Sequence, residues 1–424
     1  MSNLLKNPKL CGACNTPGCK LKCACKLVFY CGPECQGKHW PTHKKGCTVA
    51  LAKKIREAKR EHGNADMTVA RARVDAGEEL RSQGRYRDAE RCYVEARRIT
   101  MEVEGEESEF VGEISRVLGG MYSEMGRHQE ALVELIKALL ITRNIKGHNS
   151  AEAATVLATI GFSLYSKGQH KEALARIEEA HDILRETVGP ESLHLGPLLI
   201  TKGTCYFSMG RLTEARETLE ESLRVNRAGP PDNNQQMKVA KSLLSLGNIF
   251  SAMKFLDEAR EKYEEALGIL RRVHGERNGD VAGAFGNIAA VLRMQGQLDE
   301  ALKMYSKSLK IQRRLFGDDH RDVALTLINQ GNLYLQLGNY ERALETYEEL
   351  LVVSTRTEGI DNETNAEVLS YMAKAKFESG DTSGAMESAR ECLRIYNKLG
   401  ITNGHCDKAN EILRECEGIT PPEA

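Results

Sequence analysis

"GNLYLQLGNYERALETYEELL", residues 331–351, decides the fold because the chain repeats it. "GGMYSEMGRHQEALVELIKAL" (119–139), "GFSLYSKGQHKEALARIEEAH" (161–181) and "GTCYFSMGRLTEARETLEESL" (203–223) align with it without gaps. The inner glycine, or its equivalent, falls at Gly84, Gly126, Gly168, Gly210, Lys254, Gly296, Gly338 and Gly380, giving six intervals of 42 residues and one of 44. Five positions later every copy has alanine: Ala89, Ala131, Ala173, Ala215, Ala259, Ala301, Ala343 and Ala385. Seven positions earlier lies a small residue: Gly77, Gly119, Gly161, Gly203, Gly247, Ala289, Gly331 and Ala373. A fixed period of this length identifies a repeat architecture, and repetition overrides any domain count from length.

Each copy reads as two antiparallel helices. The early small residue and the alanine let the two backbones approach, and the glycine between them takes the positive φ that closes the turn. Large apolar residues recur one turn away, at Tyr122, Tyr206, Phe250 and Tyr334 in first helices and at Tyr93, Tyr263, Tyr305 and Tyr347 in second helices. One pair cannot bury its apolar face alone, so neighbours must stack. Gly105, Gly147, Gly189, Gly275, Gly317 and Gly359 mark the ends of second helices. The single 44-residue interval coincides with the turn-forming "AGPPDNNQQ" at 228–236. Ala151 falls in an inter-repeat loop on this reading. The pattern resembles a tetratricopeptide array. Its 42-residue period and the linker "GDDHRDVA" (317–324) are similar to the kinesin light chain type.

Ahead of the array the composition changes. Residues 1–60 hold thirteen Lys and Arg against Glu34 and Glu57, a formal +11, which leaves −12 for the remainder of a chain whose net charge is −1. Eight of the thirteen cysteines also lie there. "MSNLLKNPKL" has no apolar h-region, so no secretory signal is expected, and no apolar run approaches the ~18 residues of a membrane span. A cytoplasmic or nuclear chain is expected, and clustered cysteines in such a reducing setting hold metal more often than disulfides. The spacings Cys11-x2-Cys14, Cys23-x-Cys25, Cys31-x3-Cys35 and His43-x3-Cys47 supply eight thiolate and imidazole ligands, enough for two closed tetrahedral Zn(II) sites. A segment this short and polar would draw most of its folding free energy from the metal.

Tyr30-Cys31, Cys35-Gln36, Trp40 and His43-Lys44-Lys45-Gly46-Cys47 make residues 11–47 resemble a MYND zinc finger. The resemblance implies a cross-brace, with Cys11, Cys14, Cys31 and Cys35 on one zinc and Cys23, Cys25, His43 and Cys47 on the other. The family's second pair is C-x2-C, whereas this chain has C-x-C plus a spare Cys19. Cys19 therefore competes with Cys23, and the shorter chelate loop favours Cys23. In fingers of this family that bind proline- and leucine-containing segments, the matching glutamine and tryptophan form part of the docking surface. Those positions are Gln36 and Trp40, and the serine of the family's second pair is Ala24 here.

The expected architecture is all-α: a right-handed α-solenoid of eight helix-turn-helix repeats (65–400) after a two-zinc finger (11–47). A linker helix covers 48–64, and a capping helix and tail cover 401–424. Similarity to kinesin light chains points to groove residues Lys241, Asn248, Asn287, Arg293, Asn329 and Asn332, since an asparagine amide can both accept from and donate to a peptide unit. Val74 and Glu78 stand where a two-carboxylate clamp needs Lys and Asn. No P-loop, dinucleotide glycine motif, nucleophile elbow or H-E-x-x-H occurs. Cys92, Cys205, Cys392, Cys406 and Cys416 read as packing. The function expected is a non-enzymatic adaptor whose finger and groove each bind a peptide segment of a protein partner. Without a recognition helix or base-stacking aromatics nucleic acid is disfavoured, and neither a membrane contact nor an oligomeric state is indicated. The rivals are a relative of the MYND-containing lysine methyltransferases, whose SET domain has no room before Cys11 or between Cys47 and the repeats, and a kinesin light chain-like cargo adaptor, which lacks room here for its coiled coil.

Overall fold

A computed structural model of the chain describes residues 21–22, 29–30, 48–63 and 66–418. The described residues form eighteen helices and two short strands. The strands, Leu21–Lys22 and Phe29–Tyr30, pair antiparallel with Leu21 opposite Tyr30 and Lys22 opposite Phe29. The chain divides into two compact units, Met1–Met209 and Gly210–Ala424. The first holds helix Thr48–His62 and then the helix pairs Met67–Ser82/Tyr86–Glu104, Glu109–Glu124/His128–Lys146 and Ala151–Ser166/His170–Val188. It ends with Leu195–Ser208, the first helix of repeat four. The second unit begins with that repeat's other helix, Leu212–Arg227. The pairs Asn233–Ala252/Leu256–His274, Gly279–Met294/Leu298–Phe316, Arg321–Gln336/Tyr340–Glu358 and Glu363–Glu378/Thr382–Leu399 follow, then helix Gly404–Cys416. Each unit is a stack of helical hairpins, the α-solenoid class read from the repeats.

The stack depends on one contact made in nearly every pair. At Gly77, Gly119, Gly161, Gly247 and Gly331 an added Cβ would lie 2.4–2.6 Å from the side chain sixteen residues on: Tyr93, Leu135, Ile177, Tyr263 and Tyr347. The large side chain of the second helix thus lies directly on bare backbone of the first. All eight alanines of the second helices are fully buried. Packing at this density tolerates no added methylene without strain.

The turns follow from the same repeat. In the Gly338 turn, φ is +71° and the N–H of Asn339 reaches back to the carbonyl of Tyr334 at 2.9 Å, closing the helix in the left-handed manner of a Schellman cap. Lys254 takes the equivalent place with φ +67°, the one non-glycine residue with positive φ among the described residues. Gly317 is different: φ +85° with ψ 172° is a mirror-extended conformation that side chains do not adopt. Three residues later His320 accepts from the backbone N–H of Asp322 and opens the next helix. Ser108, Ser150, Asn278 and Asn362 repeat this glycine-then-cap spacing. Ala151 is corrected by it: Ser150 is the cap, so Ala151 is the first residue of a helix and not a loop residue.

Both ends of the array are covered. Ala58 of helix Thr48–His62 is buried with Val69, Val74 and Tyr93 of repeat one, so this helix is packed against the first repeat. Helix Gly404–Cys416 places Cys406, Ala409 and Ile412 against Ala373, Ala389, Cys392 and Tyr396. At its start His405 Nδ1 lies 2.8 Å from the Ser370 hydroxyl and its ring meets Tyr371 edge-on at 5.3 Å. The carboxylate of Glu367 is 3.7 Å from Nε2.

Two outcomes are expected. Lys254→Gly should raise the unfolding free energy in urea by ~0.5–1 kcal/mol once relief of left-handed strain is offset by greater unfolded-chain entropy, and Gly338→Lys should lower it by a similar amount. Responses of the same sign would show that the two turns differ. Burial holds the His405 imidazole below its ordinary value of 6.5, with Lys408 adding to the lowering and Glu367 and Glu363 opposing it. The folded state therefore takes up this proton less readily than the unfolded chain. Stability present at neutral pH should fall as pH drops through 6.5, until the lowered folded value is passed. Hydrogen exchange of helix 404–416 at pH 7.5 and pH ~5 reads this directly, and His405→Gln should weaken the dependence.

Candidate functional site

The proposed zinc ligands Cys11, Cys14, Cys23, Cys25, Cys31, Cys35, His43 and Cys47 lie outside the described residues, as do Cys19, Gln36 and Trp40. Among the described residues no group of three or more metal-capable side chains occurs. The cysteines of the array behave as packing. Burial pushes the Cys205 thiol up to about 11 and the Cys392 thiol up to about 12, which suppresses the reactive thiolate.

The groove face belongs to the first helices. Where successive first helices touch, as Glu109–Glu124 with Ala151–Ser166 in one unit and Arg321–Gln336 with Glu363–Glu378 in the other, they approach more closely than successive second helices do. Second helices are bridged instead by long ion pairs such as Arg97–Glu134 at 2.6 Å and Arg143–Glu179 at 2.5 Å. Side chains on the facing sides of these first helices therefore border one surface where the helices touch.

Two of the six groove candidates are hydrogen-bonded inside their own repeat, and a third, Arg293, acts electrostatically on a buried tyrosine of its own. Tyr263 and Tyr347, the large side chains on Gly247 and Gly331, end in hydroxyls that need an acceptor. Tyr263 donates to Asn248 Oδ1 at 2.6 Å and Tyr347 to Asn332 Oδ1 at 2.7 Å. Burial pushes both phenols far up, so they stay protonated donors. In repeat six burial likewise raises the Tyr305 phenol, and the charge of Arg293 opposes that rise. Asn248 and Asn332 thus terminate buried tyrosines.

The other three have no such duty. Lys241 is exposed and free of ion pairs among the described residues. Asn287 and Asn329 stand at the same register of consecutive repeats, half-buried and exposed respectively. Asn329 Nδ2 donates to the Leu325 carbonyl at 3.0 Å, leaving its Oδ1 open, and Asn287 makes no hydrogen bond among the described residues. The helix that carries Asn287 also carries two glycines just before it. A Cβ at Gly283 would meet nothing within 4 Å, and one at Gly286 only Ser308 Oγ at 4.0 Å. Leu325, one repeat on from Gly283, is 48% exposed. Mid-helix glycine costs ~1 kcal/mol relative to alanine, and no close packing requires it at these two positions. What such positions permit is close approach of another backbone. The sequence does not mark them, since only coordinates reveal that no side chain packs on their backbone. Farther along, a cleft of about 340 Å³ opens beside Asn332, Leu335, Tyr371 and Lys374 at the capping helix.

Comparison with known proteins agrees with this geometry. A tetratricopeptide repeat model matches residues 68–144, 110–186, 152–228, 280–351 and 322–398. A second model of the same repeat matches 239–280, and a MYND finger model matches 11–47. No curated protein matches the chain. Among solved structures, the apo form of RapI is similar at 12% identity with a TM-score of 0.55, over 83% of this chain and 97% of that one. A STAND-type signal-transduction ATPase with a tetratricopeptide repeat sensor, from Pyrococcus horikoshii, gives 19% identity and a TM-score of 0.52 over 76% of this chain and 46% of that one. BtubC from P. vanneervenii gives 20% identity and a TM-score of 0.48, over 56% and 93%. At such identities the likeness is one of fold. The repeat models span most of the chain and fall on its stacked helix pairs, so the chain belongs to the tetratricopeptide repeat family and carries a MYND finger at residues 11–47.

Proposed function

We propose that this protein is a non-enzymatic adaptor, in the cytoplasm or nucleus, that holds one partner through its finger and another through the groove of repeats five to seven. Repeat arrays of this family are typically scaffolds, and a MYND finger is a zinc-binding module. The observation that carries the groove reading is the pair Asn287 and Asn329. Two amides at equal register, with no internal acceptor or donor using both their atoms, stand on consecutive first helices, the earlier of which carries two glycines that no packing requires. An extended peptide can exchange hydrogen bonds with both amides while its backbone lies on Gly283 and Gly286. Asn248 and Asn332 support this floor by satisfying Tyr263 and Tyr347. Kinesin light chain-like recognition belongs to the same proposal.

In the finger, the donor set suits two zinc ions. Seven thiolates against two Zn(II) leave the basic segment with a net positive charge of about +8 at residues 1–60. Trp40 lies between two ligands in sequence, and a fixed indole offers a large apolar contact for proline at small entropic cost.

Native mass spectrometry of the full chain should show two zinc ions, both retained by Cys19→Ser and one lost in Cys23→Ser. One ion in the Cys19 variant would reverse the ligand assignment, and none in the wild type would end the zinc reading. For the partners, Trp40→Ala should remove proteins whose capture needs residues 1–47 while leaving zinc content unchanged. Asn287→Ala with Asn329→Ala should remove a different set that needs the array. An unchanged set of captured proteins in both variants would refute the adaptor.

A further inference from the structure

A second opening lies in the unit Met1–Met209, apart from the asparagine groove. It is a cleft of about 350 Å³ between the first helices of repeats two and three and the last turn of helix His128–Lys146. Ile141, Ile145 and Val156 form its apolar wall, and Ile145 is left 44% exposed. Gly112 helps to shape it: a Cβ there would come within 3.1 Å of Ile141, so the isoleucine leans on bare backbone.

The rim is acidic. Glu109 is neutralised by Lys146 at 2.9 Å, but Glu113 and Glu152 line the cleft without an ion pair among the described residues. The turn that leads into it adds Glu104, Glu106 and Glu107, all exposed and equally without ionic partners. Against these stands one unpaired cation in the lining, Arg116. Carboxylates gathered around one opening attract cations and repel acidic segments. An apolar wall beneath such a rim suits one kind of side chain. The aliphatic stem of lysine or arginine covers the isoleucines while its charged head stays in water at the carboxylates. The volume accommodates side chains of an extended strand and not a folded element.

We infer that this cleft docks a basic segment of a partner protein in which lysine or arginine alternates with aliphatic residues. The surface uses no residue of the asparagine groove or of the finger, so the two readings stand separately.

The test uses the full chain and a fluorescein-labelled decapeptide of alternating lysine and leucine, with glutamate replacing lysine in the comparison peptide. Anisotropy at physiological ionic strength should show binding of the lysine peptide only. Glu113→Lys with Glu152→Lys should weaken it about tenfold, Ile145→Ser about threefold, and Glu387→Lys, an exposed site in repeat eight, not at all. Should the double lysine variant melt early, Glu113→Gln with Glu152→Gln replaces it, with a loss of about threefold expected. The inference is overturned if the two peptides bind alike or if Glu387→Lys weakens binding as much as the cleft variants. It is equally overturned if Ile145→Ser leaves the affinity unchanged, since attraction would then be diffuse and the cleft unused.

Discussion

The whole array rests on large side chains lying against helix backbone. Tyr263 on Gly247 and Tyr347 on Gly331 bring two helices closer than any pair of ordinary side chains would allow. The buried alanines opposite, such as Ala259 and Ala343, keep that spacing on the other side of the turn. Because the contact joins residues sixteen apart, it is made as soon as a hairpin forms. Each hairpin still leaves one face uncovered, so stacking follows from the hydrophobic effect and needs no further instruction.

That same contact shapes the candidate sites. In repeats five and seven the tyrosine driven under the first helix ends in a hydroxyl that Asn248 and Asn332 satisfy. Residues that look like a recognition surface are in part the polar ends of the core. Repeat six departs from the rule: buried Ala289 stands in the glycine's place, and glycines that no packing requires occur instead at Gly283, which is exposed, and Gly286. Relief from packing is what makes them available to a partner.

The turns show how local chemistry sets the register of the stack. A mirror-extended glycine three residues before a capping side chain aims each first helix back along the previous pair, as at Gly147 and Ser150 or Gly359 and Asn362. The insertion after Leu212–Arg227 breaks the period but not the packing, because a buried network replaces the missing glycine. Gln235 Nε2 donates to the Asn226 carbonyl at 2.7 Å and Asn226 Nδ2 to Ser242 Oγ at 3.0 Å, with every member satisfied.

The amino-acid sequence by itself determined the number of repeats, their register and the helix-stopping glycines, because a repeated constraint leaves a repeated residue. The residues 11–47 were equally legible, since metal ligands are few in type and fixed in spacing. Other features required coordinates. That Ala151 begins a helix depends on the Ser150 hydroxyl meeting a backbone N–H, and serine occurs too widely for its presence alone to mark a cap. Which groove polar residues are free was settled only by where Tyr263 and Tyr347 end, contacts fifteen residues away for Asn248 and Asn332 that no local pattern encodes. The acid-rimmed cleft of repeats two and three was invisible in sequence for the same reason. Its wall and rim come from three helices, and only tertiary packing places Ile145, Glu113 and Glu152 around one opening.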